Sequence, residues 1–509
     1  MTQKLKKIYQ FTFFTILLLF FVVGTAIPTY AQNYSKDYSN CILKEYGKFV
    51  YYLDPTDNTI SITRGYKGTG SEDVIIPSEI EGKPVEIIGD SAFGGRSDLT
   101  GKIVIPDTVK KIELNAFSGS GFTGDLIIPD SVTQIAPWAF NDCKGFNGKL
   151  VLSKNLKIIE QNIFIGCSGF TGDLIIPDAV TEIKEAAFAN CTGFDGKLVI
   201  GKNVKNIEMY AFLKCNNLTG DIIIPDSVET IGNCAFRSCT GFTGNIVIGN
   251  NVRTIGEEAF GVCSGMSGTL SLGKSLVSIG LGAFMGCSNL RGALILPDSV
   301  EEIGNSAFFA CFSFTKLKLS NKLKTIEKMA FYHCLGLKGK LTIPNSCTSI
   351  NDSAFRLCKG LTGVKFSKNI AYIGEEAFAQ CTSLKGTLTI PDSCIYIGKT
   401  AFSNNNIKKV VIGKNVETLS YGVFSKCSKL KEFTCNSKKL KEIGEYVFYE
   451  DYSLKKMYFK SSKINKIHKR AFKKMPKKLT IYAPKKKLKK YKAKFQSGGL
   501  SKKVKFKKI

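Results

Sequence analysis

The sequence predicts an α/β repeat solenoid, a strand-rich superhelix of about 17 coils with one short helical turn in each. Three observations carry that reading. A phenylalanine, nearly always preceded by alanine, returns seventeen times from Phe93 to Phe472 at spacings of 22 to 24 residues. A cysteine stands three residues after twelve of these phenylalanines. A short apolar/polar alternation, ended in most copies by proline or glycine, precedes each one. Stacked copies of so small a unit bury one continuous core, so the chain of 509 residues needs no division into three or four globular domains.

The chain opens with Lys4, Lys6 and Lys7, a mostly apolar stretch from Phe11 to Val23, and Thr29-Tyr30-Ala31 ahead of Gln32. This is the pattern of a secretory signal peptide over residues 1–31, and the apolar stretch falls short of the roughly 20 residues of a spanning helix. No later stretch is apolar enough to span a bilayer, so no membrane span is expected after signal removal. Residues 32–73 read as an N-terminal leader and cap. The first part, 32–46, is polar; Lys48 to Leu53, a turn through Asp54 to Asn58, and Thr59 to Thr63 read as a hairpin covering the first coil. The repeats are placed at 74–482 and a basic C-terminal cap at 483–509.

One copy shows how a coil is built. In Gly172 to Cys191, Leu174 and Ile176 alternate with outward Asp173 and Ile175, the period of a half-buried strand. Pro177 stops the strand, Val180 and Ile183 turn back into the core, and Glu185 to Phe188 reads as a single helical turn. Cys191 and Phe194 then close the coil before Gly196 starts the next strand. Charges alternate between copies: Asp125, Lys149, Asp173, Lys197 and Asp221 share one column, and Asp130, Lys154, Asp178, Lys202 and Asp226 another. Strands about 4.8 Å apart would set like charges face to face, and alternation turns that repulsion into exposed pairs contributing well under about 1 kcal/mol each. The pattern implies duplication of a two-coil unit and fades after about Asn250.

The seventeen cysteines of an exported chain would ordinarily suggest a disulfide framework. In a column, however, equivalent side chains point the same way, and Asn405 fills one slot. The twelve column cysteines therefore read as buried thiols with weak hydrogen bonds to turn backbone. A ladder of one residue per coil also supplies no four-ligand metal site. His333 beside Cys334 is the one arrangement resembling a base and a nucleophile, and Cys334 belongs to the buried column. We expect no catalytic residue, no metal and no cofactor.

The pattern Ile-Pro-x-Ser-Val-x-x-Ile-Gly-x-x-Ala-Phe-x-x-Cys stands nearly complete at Ile224 to Cys239 and again at Leu296 to Cys311. It resembles the BspA-like (Treponema pallidum-type) leucine-rich repeat family over roughly residues 75 to 480. The resemblance implies a right-handed leucine-rich-repeat solenoid, exported from or displayed on a bacterium, that binds macromolecules, with adhesion to host matrix or neighbouring cells a recurrent theme.

Two surfaces are candidates for binding. Outward strand positions Ile127, Val151, Ile175, Val199, Ile223 and Val247 form an apolar stripe unusual for solvent. The second is cationic. Of the net charge of +29, +23 lies from Tyr452 onward, where no acidic residue occurs. There Pro484 precedes a helix expected over Lys485 to Phe495, with Leu488, Tyr491 and Phe495 on its packed side. Lys485, Lys486, Lys487, Lys489, Lys490, Lys492 and Lys494 cover the remainder, either as a solvated cap or as contacts to an anionic polymer such as teichoic acid, an acidic polysaccharide or a glycosaminoglycan. The expected partner is a protein or glycan on host matrix or neighbouring cells, with no nucleic acid. The alternative is a wall-associated structural protein whose repeats have no specific partner.

Overall fold

The structure, a computed structural model, describes residues 34–509; the signal peptide expected over 1–31 lies outside them. Each coil contributes two short strands. The first ladder runs through Val74–Ile75, Ile103–Val104, Leu126–Ile127 and onward, and the second through Lys83–Ile88, Lys111–Ile112, Gln134–Ile135 and their successors. Both pair parallel between coils and in register, as Leu174 with Leu198 and Ile183 with Ile207 show.

The second ladder corrects the expectation of one strand per coil. Most second strands bury a single residue, as Ile183 in Glu182–Ile183, so the sequence carries too short an alternation to be read there. What makes it a strand is backbone pairing: the Thr181 amide donates to Lys157 and the Lys184 amide to Ile159, both at 2.8 Å. Seventeen coils carry both strands, and the first ladder continues through Thr480–Ala483 and Lys505–Lys508 to nineteen strands.

The third side of the coil is not the helical turn expected at Glu185 to Phe188. Ala186 and Asn190 take left-handed conformations, with φ of 52° and 61°. The amides of Ala186, Phe188 and Asn190 consequently point along the solenoid and donate to Met209, Ala211 and Leu213 of the next coil at 2.8–2.9 Å. Left-handed residues recur two before and two after the repeat phenylalanine, from Ser91 and Gly95 to Tyr446 and Glu450. A non-glycine residue there costs about 1–2 kcal/mol, and the coil-to-coil bonds offset it. A helix would close its hydrogen bonds within the coil and leave this side unpaired.

These turns hold the phenylalanines in one stack. From Phe93 to Phe472 successive rings lie 4.9–6.1 Å apart, and their planes differ by no more than 17°. Every one is completely buried. A second column, Phe122, Phe146, Phe170, Phe194 and then mostly leucines, fills the other half of the core.

Both ends are closed by aromatic rings. At the start Tyr66 lies 5.6 Å from Phe93. Strands Phe49–Leu53 and Ile60–Thr63 form the expected hairpin, and Ile42–Tyr46 adds a third antiparallel strand. Ile60–Thr63 also pairs parallel with Lys83–Ile88, so the hairpin extends the second ladder. The polar leader is held in place: the Tyr38 hydroxyl and the Lys36 amide donate to the buried carboxylate of Glu113 at 2.9 and 2.7 Å. At the other end the helix Leu488–Ser497 sets Phe495 5.0 Å from Phe472. Its Tyr491 hydroxyl donates to Ser461 at 3.0 Å and accepts from the Ile464 amide at 2.9 Å. No helix of the described residues is long and apolar enough to cross a membrane.

Removing one ring should therefore be costly in the middle of the stack. Phe260→Ala is expected to destabilise by about 3–5 kcal/mol, whereas Phe260→Leu loses less, both read by chemical denaturation.

Candidate binding surfaces

The six apolar outward positions lie where the sequence placed them, on the first ladder. Ile127, Ile175 and Ile223 are more than half exposed, at 57%, 53% and 56%, with Val151, Val199 and Val247 in register between them. The structure lengthens the row by two coils, since Ile75 and Val104 are exposed and paired in the same column. It ends at Ser271, the partner of Val247. Side chains inward of this row, Leu126, Leu174 and Ile222, are fully buried, so the strand alternation forces its neighbours out.

The acidic and basic columns beside the stripe work differently from the expected charge pairing. Lys154 and Lys202 do face Asp130 and Asp178, at 3.4 and 3.0 Å, but these exposed pairs are weak. The shorter contacts go to backbone. Asp125, Asp173 and Asp221 accept the amides of Lys149, Lys197 and Asn245 at 2.6–2.7 Å. Gly148, Gly196 and Gly244 lie beneath these carboxylates, where a Cβ would come within 1.9–2.2 Å of Oδ1. The aspartate, the following coil's glycine and its amide thus form one unit, and this explains a two-coil repeat better than side-chain charge does.

At the C-terminal end the helix packs Tyr491 and Phe495 inward and turns lysine outward, as expected. Lys485, Lys486, Lys489, Lys490 and Lys492 are exposed, while Lys487 is half-buried. Lys494 is tied down, its ammonium donating to the Asn465 carbonyl. The sequence reading missed the last strand, Lys505–Lys508, which pairs with Thr480–Ala483. It brings Lys505 and Lys507 beside Lys489 and Lys492 around a depression of about 610 Å³. The alternation in Val504-Lys505-Phe506-Lys507 was the available signal, masked by the surrounding lysines. No acidic residue occupies the first helical turn, and cations there oppose the helix dipole by about 0.3–1 kcal/mol each.

Elsewhere the polar groups serve the core. All twelve column cysteines donate their thiol to the carbonyl of the preceding coil's phenylalanine at 2.9–3.2 Å. Asn405 replaces the thiol with its amide, which donates to Phe378 and Phe402 at 3.1 and 2.9 Å. Burial pushes the Cys334 thiol up to about 12, the opposite of a nucleophile, and burial lowers the neighbouring His333. All seventeen cysteines are free thiols. Among the described residues no group of three His, Cys, Asp or Glu side chains is arranged to hold a metal ion. Trp138 packs with Tyr34 against Leu114 and Ala136.

Asp451 is the exception in this column, and the sequence reading missed it. It occupies the cysteine slot of its coil, is completely buried, and accepts the Cys427 amide at 2.7 Å through Oδ1. Its Oδ2 has no partner. Burial raises its carboxyl well above the usual value of 3.8, against the opposing pull of that amide. A carboxyl raised in the folded state favours folding at low pH, and the benefit is lost as pH rises from the unfolded value through the folded one. Asp451→Asn should match the wild type near pH 4 and exceed it in stability at pH 7, read as amide-exchange protection over residues 427–472.

The family model for the BspA type leucine rich repeat region, in 6 copies, matches residues 66–195, 205–295, 277–387 and 386–498. No curated protein matches the chain. Among solved structures, a leucine-rich repeat protein from Bacteroides ovatus is 24% identical, with a TM-score of 0.58 over 92% of this chain and 99% of that one. A leucine rich cell surface protein from Faecalibacterium prausnitzii is 21% identical, over 82% and 94% of the two chains with a TM-score of 0.34. The pneumococcal vaccine antigen PcpA is 18% identical, over 92% and 99% with a TM-score of 0.40. The Bacteroides likeness agrees with the stacked-coil fold. The chain belongs to the BspA-type leucine-rich repeat family.

Proposed function

We propose that this protein is an exported, surface-associated binding protein that recognises a protein or glycan on host matrix or neighbouring cells through its first-ladder face. The observation that carries the reading is the row of eight exposed aliphatic side chains from Ile75 to Val247, one per coil in consecutive coils. A soluble protein rarely keeps so continuous an apolar row in water, and covering it by a partner returns hydrophobic free energy at about 25 cal/mol per Å². The signal-peptide pattern of residues 1–31 supports export.

The lysine-rich end supports a second, electrostatic contact that holds the protein to an anionic polymer. Lys489, Lys492, Lys505 and Lys507 surround one depression, and a bound anion would relieve both their mutual repulsion and their conflict with the helix dipole.

The two contacts separate by salt. The full mature chain is tested against immobilised matrix proteins, glycans and cell-wall polymers at low and high salt. Ile127→Thr/Ile175→Thr/Ile223→Thr is expected to abolish the salt-resistant binding without altering thermal unfolding. Lys489→Gln/Lys492→Gln is expected to weaken only the salt-sensitive binding. If the isoleucine variant binds every target as the wild type does, the repeat face is not a recognition surface, and the protein is a wall-associated structural protein.

A further inference from the structure

The face that carries the aliphatic row changes chemistry part-way along the solenoid. After Val247 the same outward position is held by Ser271, Ile295, Lys318, Thr342, Lys365 and Thr389. The amide-accepting aspartates of the earlier coils disappear from the neighbouring column, which reads Lys316, Lys340, Gly363 and Thr387. Nearby carboxylates are already engaged: Asp298 accepts the Asn321 amide at 3.2 Å, and Asp392 pairs with Lys414. Among the described residues no carboxylate forms an ion pair with the ammonium groups of Lys316, Lys318, Lys340, Lys365, Lys368 or Lys385.

Four of these lysines, Lys340, Lys365, Lys368 and Lys385, surround a depression of about 560 Å³ on this face. Thr387 and Thr389 stand exposed on its rim, and Val364 and Phe366 form its floor. The opening is made by Gly363, which pairs with Lys340 where most copies carry a side chain. The backbone does not demand glycine at this position. Gly363 is not in a left-handed conformation, and a Cβ there would meet only the Lys340 side chain, at 3.6 Å or beyond.

We propose that this depression and its lysines bind a linear acidic polysaccharide. Coils stack about 4.8 Å apart, and lysines recur along this face, Lys316 and Lys340 in adjacent coils and Lys318 and Lys365 two coils apart, so a polymer with regularly repeated anionic groups complements it. Exposed threonine hydroxyls suit a hydroxyl-rich chain. An extended acidic peptide lacks an edge to join, because both sides of these strands are occupied by neighbouring coils. Nucleic acid is disfavoured because the depression offers a single aromatic ring, Phe366, which is half-buried against Phe378 and Phe402. The site is separate from both the aliphatic row and the C-terminal lysines.

The test uses the full mature chain and alginate, a linear polyuronate, with neutral dextran, polyglutamate and single-stranded DNA as comparisons. The end variant, Lys489→Gln/Lys492→Gln/Lys505→Gln/Lys507→Gln, should retain alginate binding. Adding Lys340→Gln/Lys365→Gln/Lys368→Gln/Lys385→Gln to it should reduce affinity at least roughly tenfold at about 0.1 M salt. Gly363→Glu in the end-variant background should do the same, with unchanged thermal unfolding and no dextran binding in any variant. Face variants that bind alginate like the wild type would overturn the proposal. So would loss of binding in the end variant, or tighter binding of polyglutamate or DNA than of alginate. The isoleucine variants above leave this site intact, so failure of the aliphatic face is read separately.

Discussion

The coil-to-coil step is the constraint from which the rest follows. A residue in one coil must face its equivalent in the next closely enough for rings to stack and backbones to bond. The phenylalanine serves both needs at once. Its ring stacks on the rings above and below, its amide donates forward along the solenoid, and its carbonyl accepts the next coil's thiol. Cysteine suits this slot because it is small, tolerates burial and still supplies a donor. Asn405 shows that the donor is the requirement, since it meets the same carbonyls with an amide.

Because the core is a stack of near-identical layers, the outer surface is a set of columns, and a column can change character without disturbing what lies beneath. The first-ladder face does so. Its aliphatic portion coincides with the coils in which aspartate, glycine and amide interlock in pairs, from Asp125 to Asn245. Its cationic portion begins at Lys316, beyond the intervening coils of Ser271 and Ile295. Most inward residues stay buried across the boundary, as Leu270, Leu294 and Leu341 do, while Leu317 is half-buried. One scaffold therefore presents two chemically different surfaces end to end.

Much of this was legible from the residues. The phenylalanine column, the cysteine slots, the outward isoleucines and valines, the hairpin and the packed side of the terminal helix all follow from apolar spacing, and spacing survives in a sequence. What was illegible depends on backbone conformation or pairing. The left-handed residues beside each phenylalanine include Trp138, Tyr210, Val262 and Leu357, types that give no hint of positive φ, so four residues of turn resembled four residues of helix. The second ladder buries too little to show an alternation. The terminal strand's lysines were lost in a run of lysine, and Asp451 was overlooked because a lone acidic residue in a cysteine column looks like an ordinary surface substitution.

The account rests on each coil being locked to the next through a dry column of aromatic rings and thiols. Thiol labelling of the native full-length protein, followed residue by residue, examines that column most directly. Cys41 and Cys234, the two cysteines that are not fully buried, should label first. The twelve column cysteines should stay protected until denaturant opens the coils, and then react together with their neighbours. Rapid labelling of the column in the native protein, or its conversion to disulfides under mild oxidation, would contradict the account.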